Sequence, residues 1–311
     1  MDFTATQRQE GLVARVDGAI EDCGGLERVR AFAFEKRLDT ELERALAATI
    51  RPQELTLLER ALVADRLAWA GAATTFGLQA VVLGGMAPEC ARPGLAIVDG
   101  SRSRLARYAG DAGALLVLDG DKARLVALSP GQVEPVPSGS GFPVGRAPAA
   151  LLESGRLLSL VGLRPRWALA VAAEIGGTAH AVIELTSAHL RQREQFGRPL
   201  SHFQALRHRL ANAAVDAEAT RWMAREAAYS GQERSMWLAA SYAASVGASL
   251  SPESVQLWGA RGFAQEFAVS NLIMRLQGLR FELGSADRLA GNVIAAGTSA
   301  DDTETAAAQL T

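Results

Sequence analysis

Leu12, Val16 and Ile20 recur at one helical turn and share a face. That spacing predicts an amphipathic helix. The run from Leu55 to Leu78 is rich in Leu, Ala and Val at the same period. Ahead of it "IRPQ" interrupts the pattern at Pro52, whose ring has no N–H to give a helix. The chain therefore reads as helical up to "APECARPG", where Pro88, Pro93 and Gly94 punctuate it.

From Leu95 to about Leu160 the pattern changes to short apolar runs, "LAIVDG", "ALLVLDG" and "ARLVALS", bounded by Gly, Asp, Ser and Pro. These predict strands. "LDGDKARL" predicts a hairpin, with Asp119, Gly120 and Asp121 supplying the freedom a tight turn needs. The four prolines of "SPGQVEPVPSGSGFPVG" predict loop or edge strand, because a proline interrupts a central ladder. A small β unit results, a compact sheet or an open barrel.

From Trp167 the helical period returns and persists. Trp167, Val171, Ile175, Val182 and Leu185 share one apolar side, and Gly176–Gly177 would let a neighbouring helix come close. After Pro199, Phe203, Leu206, Leu210, Ala214 and Ala217 recur every three or four residues. A third helix passes Trp237 and Ala244 to about Leu250, and "SPES" from Ser251 predicts a restart with its own cap. Long helices joined by short turns predict an antiparallel bundle. The fold class is mainly α: an N-terminal helical domain over residues 1–92, a small central β-domain over 93–160 and a C-terminal four-helix bundle over 161–311.

Composition narrows the function classes. A net charge of −2 gives no electrostatic case for nucleic acid or an anionic membrane. Lysine occurs only at Lys36 and Lys122, and we read the arginine and alanine excess as base-composition bias. Cys23 and Cys90 have neither metal-ligand spacing nor a disulfide framework, and Cys90 reads as a buried, inert thiol. The first twenty residues lack the apolar run of a signal peptide, and no uninterrupted apolar stretch reaches bilayer length. These features predict a cytoplasmic protein. His189, His202 and His208 do not form a metal set and are assigned surface or capping roles, so no metal is expected.

The segment richest in chemistry is "RQREQFGRPLSHFQALRHRLA". Arg193 offers a bidentate fork for phosphate, the following helix start offers open N–H groups, and Gly197 permits close backbone approach. The plainer alternative is a helix–turn–helix corner with Arg193 solvated and Phe196 as its hydrophobic plug, and residue chemistry alone favours it. A basic recognition helix in "SHFQALRHR" is opposed by the acidic balance of the chain.

"REQFGRPLSHFQALRHRLA" resembles a signature of the acyl-CoA dehydrogenases, flavoproteins built as helices, sheet and helical bundle. "QLWGARGFAQEF" resembles their second signature at the family's spacing. The resemblance implies that these motifs hold the pyrophosphate and adenine end of a neighbouring subunit's FAD. The matching residues are Arg193, Gln195, Phe196, Leu200 and Gln204, then Gln256 and Gly259. Ala260 departs from the family's second glycine but keeps an N–H for a phosphate. At least a dimer is implied.

The family's reaction is α,β-desaturation of an acyl-CoA thioester, which needs a carboxylate in a dry pocket to remove the α-proton. Carrying the register without a gap through "RFELGSADRLA" puts Gly284 and Ser285 on the family's Gly-Thr and Leu283 on the base. Glu282 then falls on the preceding aromatic, whose side chain is expected to point elsewhere; a one-residue loop adjustment would rescue it as the base. The alternative base position of some members falls on Trp167, and Glu174 lies two helical turns away, about 10 Å along the axis. The family's flavin-holding loop and Trp–Ser/Thr strand have no counterpart, and Asp287 brings a negative charge close to where the family contacts FAD.

Three functions follow from the resemblance. The first is the non-catalytic subunit of a heterotetrameric (α2β2) acyl-CoA dehydrogenase, similar to those of actinobacterial steroid side-chain degradation. It would lack its own base, complete the FAD site of a catalytic homologue, and serve an acyl-CoA, including steroid-CoA, with electron-transfer flavoprotein as the acceptor of the complex. The second is an autonomous dehydrogenase or oxidase using Glu282. The third is a catalytically dead structural or binding subunit.

Overall fold

The computed structural model describes residues 4–86 and 92–308, with side-chain surroundings as far as residue 297. Pro88 and Cys90 lie outside the described residues. Helix α1 (Gln7–Asp22) starts at Thr6, whose hydroxyl accepts the Gln9 N–H at 3.3 Å while the Gln9 side chain accepts the Thr6 N–H at 3.0 Å. This reciprocal box satisfies two donors that a helix start leaves open. Helices α2 (Gly25–Phe32) and α3 (Thr40–Thr49) follow, and α4 (Leu57–Trp69) repeats the box with Thr56 and Glu59. The apolar run through Leu78 is divided. Gly71 adopts φ 71° and the Ala72 N–H reaches back to the Leu67 carbonyl at 3.0 Å, a left-handed helix stop that suits glycine. The chain resumes as α5 (Phe76–Leu83).

The β region contains two sheets rather than one. Strands β1 (Leu95–Asp99), β3 (Ala114–Asp119), β4 (Lys122–Ala127) and β7 (Arg156–Leu158) form a four-stranded sheet in the order β1-β3-β4-β7. Only β1 and β3 run parallel within it. The β3–β4 hairpin turns through Gly120-Asp121, since Asp119 pairs with Lys122. Strands β2 (Leu105–Arg107), β5 (Glu134–Val136) and β6 (Val144–Arg146) form an antiparallel sheet in the order β2-β6-β5. Pro135 sits on its edge strand, whereas β6 is central, contrary to the loop-or-edge expectation. The proline beside β6, Pro143, precedes the ladder and so removes none of its donors. Alternate residues of β1 serve two cores: Leu95 and Ile97 join the main core, Ala96 and Val98 a smaller one with Leu115, Val117 and Val126. A short helix α6 (Ala149–Glu153) precedes β7.

Helix α7 (Leu163–Gln192) organises the rest. By length and composition it could cross a bilayer, which corrects the expectation that no stretch would reach that length. Yet 78% of its most apolar window is buried inside the protein, because α4, α5 and three later helices surround it. A helix apolar on all sides is what such a position requires. The later helices are α8 (Gln204–Ser230), α9 (Glu233–Trp258) and α10 (Ala268–Leu279), with α11 (Ala286–Ala308) packing on α9. Between α7 and α8 a two-residue-stranded hairpin, β8 (Glu194–Gln195) and β9 (Arg198–Pro199), makes the corner. The expected restart at Ser251 does not occur, and α9 continues through Pro252. The proline leaves one carbonyl of the preceding turn without its usual donor. The Ser251 hydroxyl bonds the adjacent Gly247 carbonyl at 2.7 Å and helps to hold the turn closed.

The predicted stripe of α8 is buried only in part. Ala217, Ala224, Ala227 and Ala228 are enclosed, while Phe203, Leu206, Leu210 and Ala214 remain half-exposed at its N-terminal half. The glycine pair of α7 acts as its sequence predicts: a Cβ on Gly177 would stand 2.0 Å from the Asp65 carbonyl of α4, and one on Gly176 3.0 Å from Arg221 of α8. Asp65 also takes the Arg221 guanidinium at 2.6 Å, so the three helices are joined at that level. Gly177→Ala is expected to destabilise the chain by at least about 1–3 kcal/mol, because backbone rather than a flexible side chain must move. Gly11→Ala, whose Cβ would meet open space on α1, is expected to stabilise by about 0.4–1 kcal/mol. Urea midpoints check both, and equal midpoints for Gly177→Ala and wild type would contradict the close approach.

Candidate functional site

Two places gather the residues singled out by the sequence. The first is a cavity of about 490 Å³ where β1, β2 and the loop before β6 meet the start of α7 and the turn between α10 and α11. Trp167, Glu282 and Leu283 all line it. Glu282 therefore faces the cavity, against the expectation that its side chain would point elsewhere. The cause is local: residues 278–284 form successive tight turns, with Glu282 N–H on the Leu279 carbonyl and Gly284 N–H on the Phe281 carbonyl. In such turns neighbouring side chains do not alternate as they do on a strand.

Glu282 is nonetheless held. Its Oε1 accepts the Trp167 indole N–H at 2.8 Å and the Arg107 Nε–H at 3.2 Å, and its Oε2 lies 3.0 Å from the same Nε. Arg107 turns its other end to Glu174, 2.7 Å away and buried on α7. Glu174 thus reaches the cluster through Arg107, although it does not line the cavity. Burial pushes the Glu282 carboxyl above its ordinary range; Arg107 opposes that shift and Glu174 adds to it. Burial would lower the Arg107 pKa, but Glu174 and Glu282 overcome it and hold the guanidinium charged. Both Arg107 and Arg275 lie over the Phe142 ring, at 5.2 and 4.6 Å from its centroid, which walls the cluster from one side. At the rim, Asp99 is fixed by Arg164 at 2.6 Å and Arg102 at 3.1 Å. Burial opposes its ionisation, but the bonds from Arg164 and Ser101 hold it below the usual carboxylate range.

Arg107 is the residue that sequence reasoning missed. Its signal was a charged residue inside a strand, in "LARYAG", next to Tyr108, which adopts φ 59°. A buried arginine requires an acidic partner, and Glu174 was the buried-face acid available on α7. Asp287 is exposed in the first turn of α11, where a negative charge complements the helix dipole.

The second place is the corner after α7. Arg193, Gln195, Phe196 and Gln204 are exposed, and Leu200 is half-buried. Phe196 and Gly197 form the hairpin turn with φ 55° and 75°. Both central residues left-handed is the twist-matched turn for a hairpin, yet for phenylalanine it is sterically unfavourable. Phe196 is also 87% exposed, touching Phe203 edge-on at 6.0 Å, so it is not the hydrophobic plug that the plainer reading required. The second motif arrives at the same end of the bundle. Trp258 stacks on His189 at 4.1 Å and donates its indole N–H to Thr186 at 2.9 Å, fixing the end of α9 to α7. His189 is therefore buried and structural rather than on the surface; burial, then Arg261 and Arg193, lower its pKa. His202 and His208 are exposed. Gln256, Gly259 and Ala260 are exposed beyond that stack, and the Cβ directions of Gly197 and Gly259 meet open space. Guanidinium groups, open backbone and an outward aromatic make a donor set that suits a pyrophosphate and an adenine ring.

Residues 166–298 match the model of the acyl-CoA dehydrogenase C-terminal domain. The C-terminal helical region is thus similar to that domain of the acyl-CoA dehydrogenases. The acyl-CoA dehydrogenase IpdE2 of Mycolicibacterium smegmatis is 32% identical over 123 residues, which are 40% of this chain and 40% of that protein. The 3-sulfinopropanoyl-CoA desulfinase of Paraburkholderia xenovorans is 33% identical over 101 residues, 31% of this chain and 26% of that one. The matched stretch thus spans less than half the length of these relatives. The fold extends further. The ChsE4-ChsE5 complex from Mycobacterium tuberculosis superposes with a TM-score of 0.72 at 22% identity, covering 94% of this chain and 98% of that one. Butyryl-CoA dehydrogenase from Megasphaera elsdenii gives 0.71 at 16% identity, covering 95% and 99%. The Tcur3481-Tcur3483 steroid ACAD gives 0.69 at 22%, covering 94% and 99%. Helices, small sheets and helical bundle together have the acyl-CoA dehydrogenase fold.

Phe196→Ala is expected to leave the stability of the chain by itself within about 0.5 kcal/mol of wild type, since the ring covers almost nothing in one protomer. Thermal and urea unfolding check this, and a loss above about 2 kcal/mol would restore the plug.

Proposed function

We propose that this chain is a subunit of an FAD-dependent acyl-CoA dehydrogenase that completes the FAD site of a catalytic homologue and lacks a working base of its own. The observation that carries the reading is the corner: a strained, exposed Phe196 with Arg193 and Gln195 exposed around it, and Gly259–Ala260 exposed at the same end of the bundle. A strained aromatic left in water is kept where a partner or ligand covers it. The half-exposed apolar residues at the start of α8 continue the same surface. In this reading Arg193 and the open N–H groups of the two motifs hold the partner's FAD at its pyrophosphate, and Phe196 and Gln195 cover its adenine end. The bound flavin supplies the hydride acceptor for desaturation of the acyl-CoA. Glu282 of this chain's own cavity is tied to Arg107 and Trp167, and Leu283 lines the cavity without a group able to take a proton.

The similarity to the ChsE4-ChsE5 complex and to the Tcur3481-Tcur3483 steroid ACAD supports a heterotetramer acting on steroid-CoA; electron-transfer flavoprotein and a cytoplasmic location complete the proposal. A second reading, an autonomous enzyme using Glu282, has one observation in its favour, since Glu282 does face the cavity. Arg193→Ala in the chain co-expressed with its catalytic homologue tests the first reading. Loss of a charge-assisted phosphate contact removes about 1.5–3 kcal/mol, so the purified complex should bind FAD about tenfold more weakly or worse. Unchanged FAD affinity would refute the corner's role.

A further inference from the structure

Arg261 stands in the short helical turn Gly259–Phe263 that follows α9, two residues beyond Gly259, and it is exposed. Its backbone is fixed. A Cβ on the buried Gly262 would lie 3.1 Å from the Val255 backbone of α9, and the Arg261 carbonyl accepts the Ala264 N–H at 3.1 Å. The guanidinium lies over the Phe267 ring, 5.6 Å from its centroid. Phe267 is 5.8 Å from Trp258, and Trp258 stacks on His189 at 4.1 Å. The His189 carbonyl in turn accepts the Arg193 N–H at 2.8 Å. A continuous run of rings therefore connects two arginine-bearing segments, one after α7 and one after α9.

Both charges bear on the same imidazole. After burial, Arg261 and then Arg193 hold the His189 pKa below its ordinary value, and no carboxylate opposes them there. Coulomb energy falls with distance, so both guanidiniums stand near that ring. Arginines elsewhere on the bundle are matched: Arg209 by Glu253 and Arg221 by Asp65, each at 2.6 Å. Among the described residues Arg193 and Arg261 have no such ion pair, and Glu194 and Glu266, the exposed carboxylates of the two segments, pair with neither. A cation after a helix end offsets the helix dipole, which gives α7 and α9 a use for one charge each. It does not explain why both bear on one imidazole, where they repel each other and disfavour its protonation. A guanidinium presents a planar fork that suits a phosphate, and two forks suit a group with two phosphates. The Cβ directions of Gly197 and Gly259 meet open space, so the backbone of each segment is open to such a group.

We infer that Arg261 is the second anion-binding residue of the corner: with Arg193 it forms a two-guanidinium clamp for a diphosphate, one fork from each motif. The inference rests on the reading of the corner as part of an FAD site, in which that diphosphate is the pyrophosphate of the partner's FAD.

The full-length chain alone and its complex with the catalytic homologue test this together. In the chain alone, NMR follows the titration midpoint of the His189 ring. Arg261→Gln should raise that midpoint, because a cation that disfavours the imidazolium has gone. Inorganic pyrophosphate should raise it in wild type and less so in Arg261→Gln. A midpoint that Arg261→Gln leaves unchanged, or that pyrophosphate moves equally in both or in neither, overturns the clamp. In the complex, Arg261→Gln should weaken FAD binding about tenfold, the loss of one charge-assisted phosphate contact. Arg261→Lys, which keeps the charge without the fork, should fall between the two. Arg209→Gln, whose charge is already matched by Glu253, should leave FAD affinity as in wild type; an equal loss there would mean a general charge effect and overturn the clamp. A role confined to the helix dipole would lower the unfolding midpoint and leave FAD and pyrophosphate binding untouched, which also overturns it. If Arg193→Ala weakens FAD and Arg261→Gln does not, the clamp falls and the corner keeps its role. If neither weakens FAD, the corner's role falls, and the pyrophosphate titration of the chain alone decides the clamp.

Discussion

Helix α7 can be packed on several sides only because its own surface lets neighbours come within backbone distance. At Gly177 the Asp65 carbonyl of α4 occupies the place where any side chain would begin, and one residue earlier Arg221 of α8 takes the corresponding space. The same helix carries Trp167 at one end, Glu174 one turn before the glycines and His189 near the other end. Each of the two functional places is therefore set by α7: the cavity through Trp167 and Glu174, the corner through His189 and the turn that follows Gln192. A shift of α7 against α4 would displace both.

Charges buried on such a helix must be matched where they stand. Glu174 on α7 and Glu282 on the loop before α11 find their common partner on β2, which ties the smaller sheet to the bundle. Removing one member of a buried ion cluster typically costs about 3–5 kcal/mol, more than most surface changes. The arrangement also bears on the chemistry, since a carboxyl whose Oε1 is held by both Arg107 and Trp167 serves the structure first. The corner follows the opposite logic: it exposes cations, open backbone and a strained phenylalanine, features that stabilise nothing within one protomer.

The order of helices, strands and helices was legible because each region has a clean hydrophobic period, and the close approach at Gly176–Gly177 was legible because two glycines mid-helix have few other uses. The break at Gly71 was missed because the apolar run continues through it in composition, although the chain stops the helix there. Pro252 misled because the helix tolerates its missing donor, with the Ser251 hydroxyl bonding the neighbouring Gly247 carbonyl on the same turn. The N-terminal half of α8 was expected in the core because its period is intact; period shows that a face is apolar, not which molecule covers it. For the site, the corner residues could be named from their motif, while Arg107 could not, because its role depends on β2 meeting α7 and on no local pattern. Glu282 was placed one position from the base, and the structure adds that it enters the cavity but is held there by donors.

The central claim is that the flavin chemistry of any complex containing this chain belongs to its partner. The direct measurement is the visible absorbance spectrum and acyl-CoA turnover of the purified chain, first by itself and then after assembly with its catalytic homologue. The account predicts a colourless, inactive chain alone and flavin absorbance with turnover only in the assembled complex. A yellow chain that desaturates an acyl-CoA on its own, and loses that activity in Glu282→Gln, would contradict it.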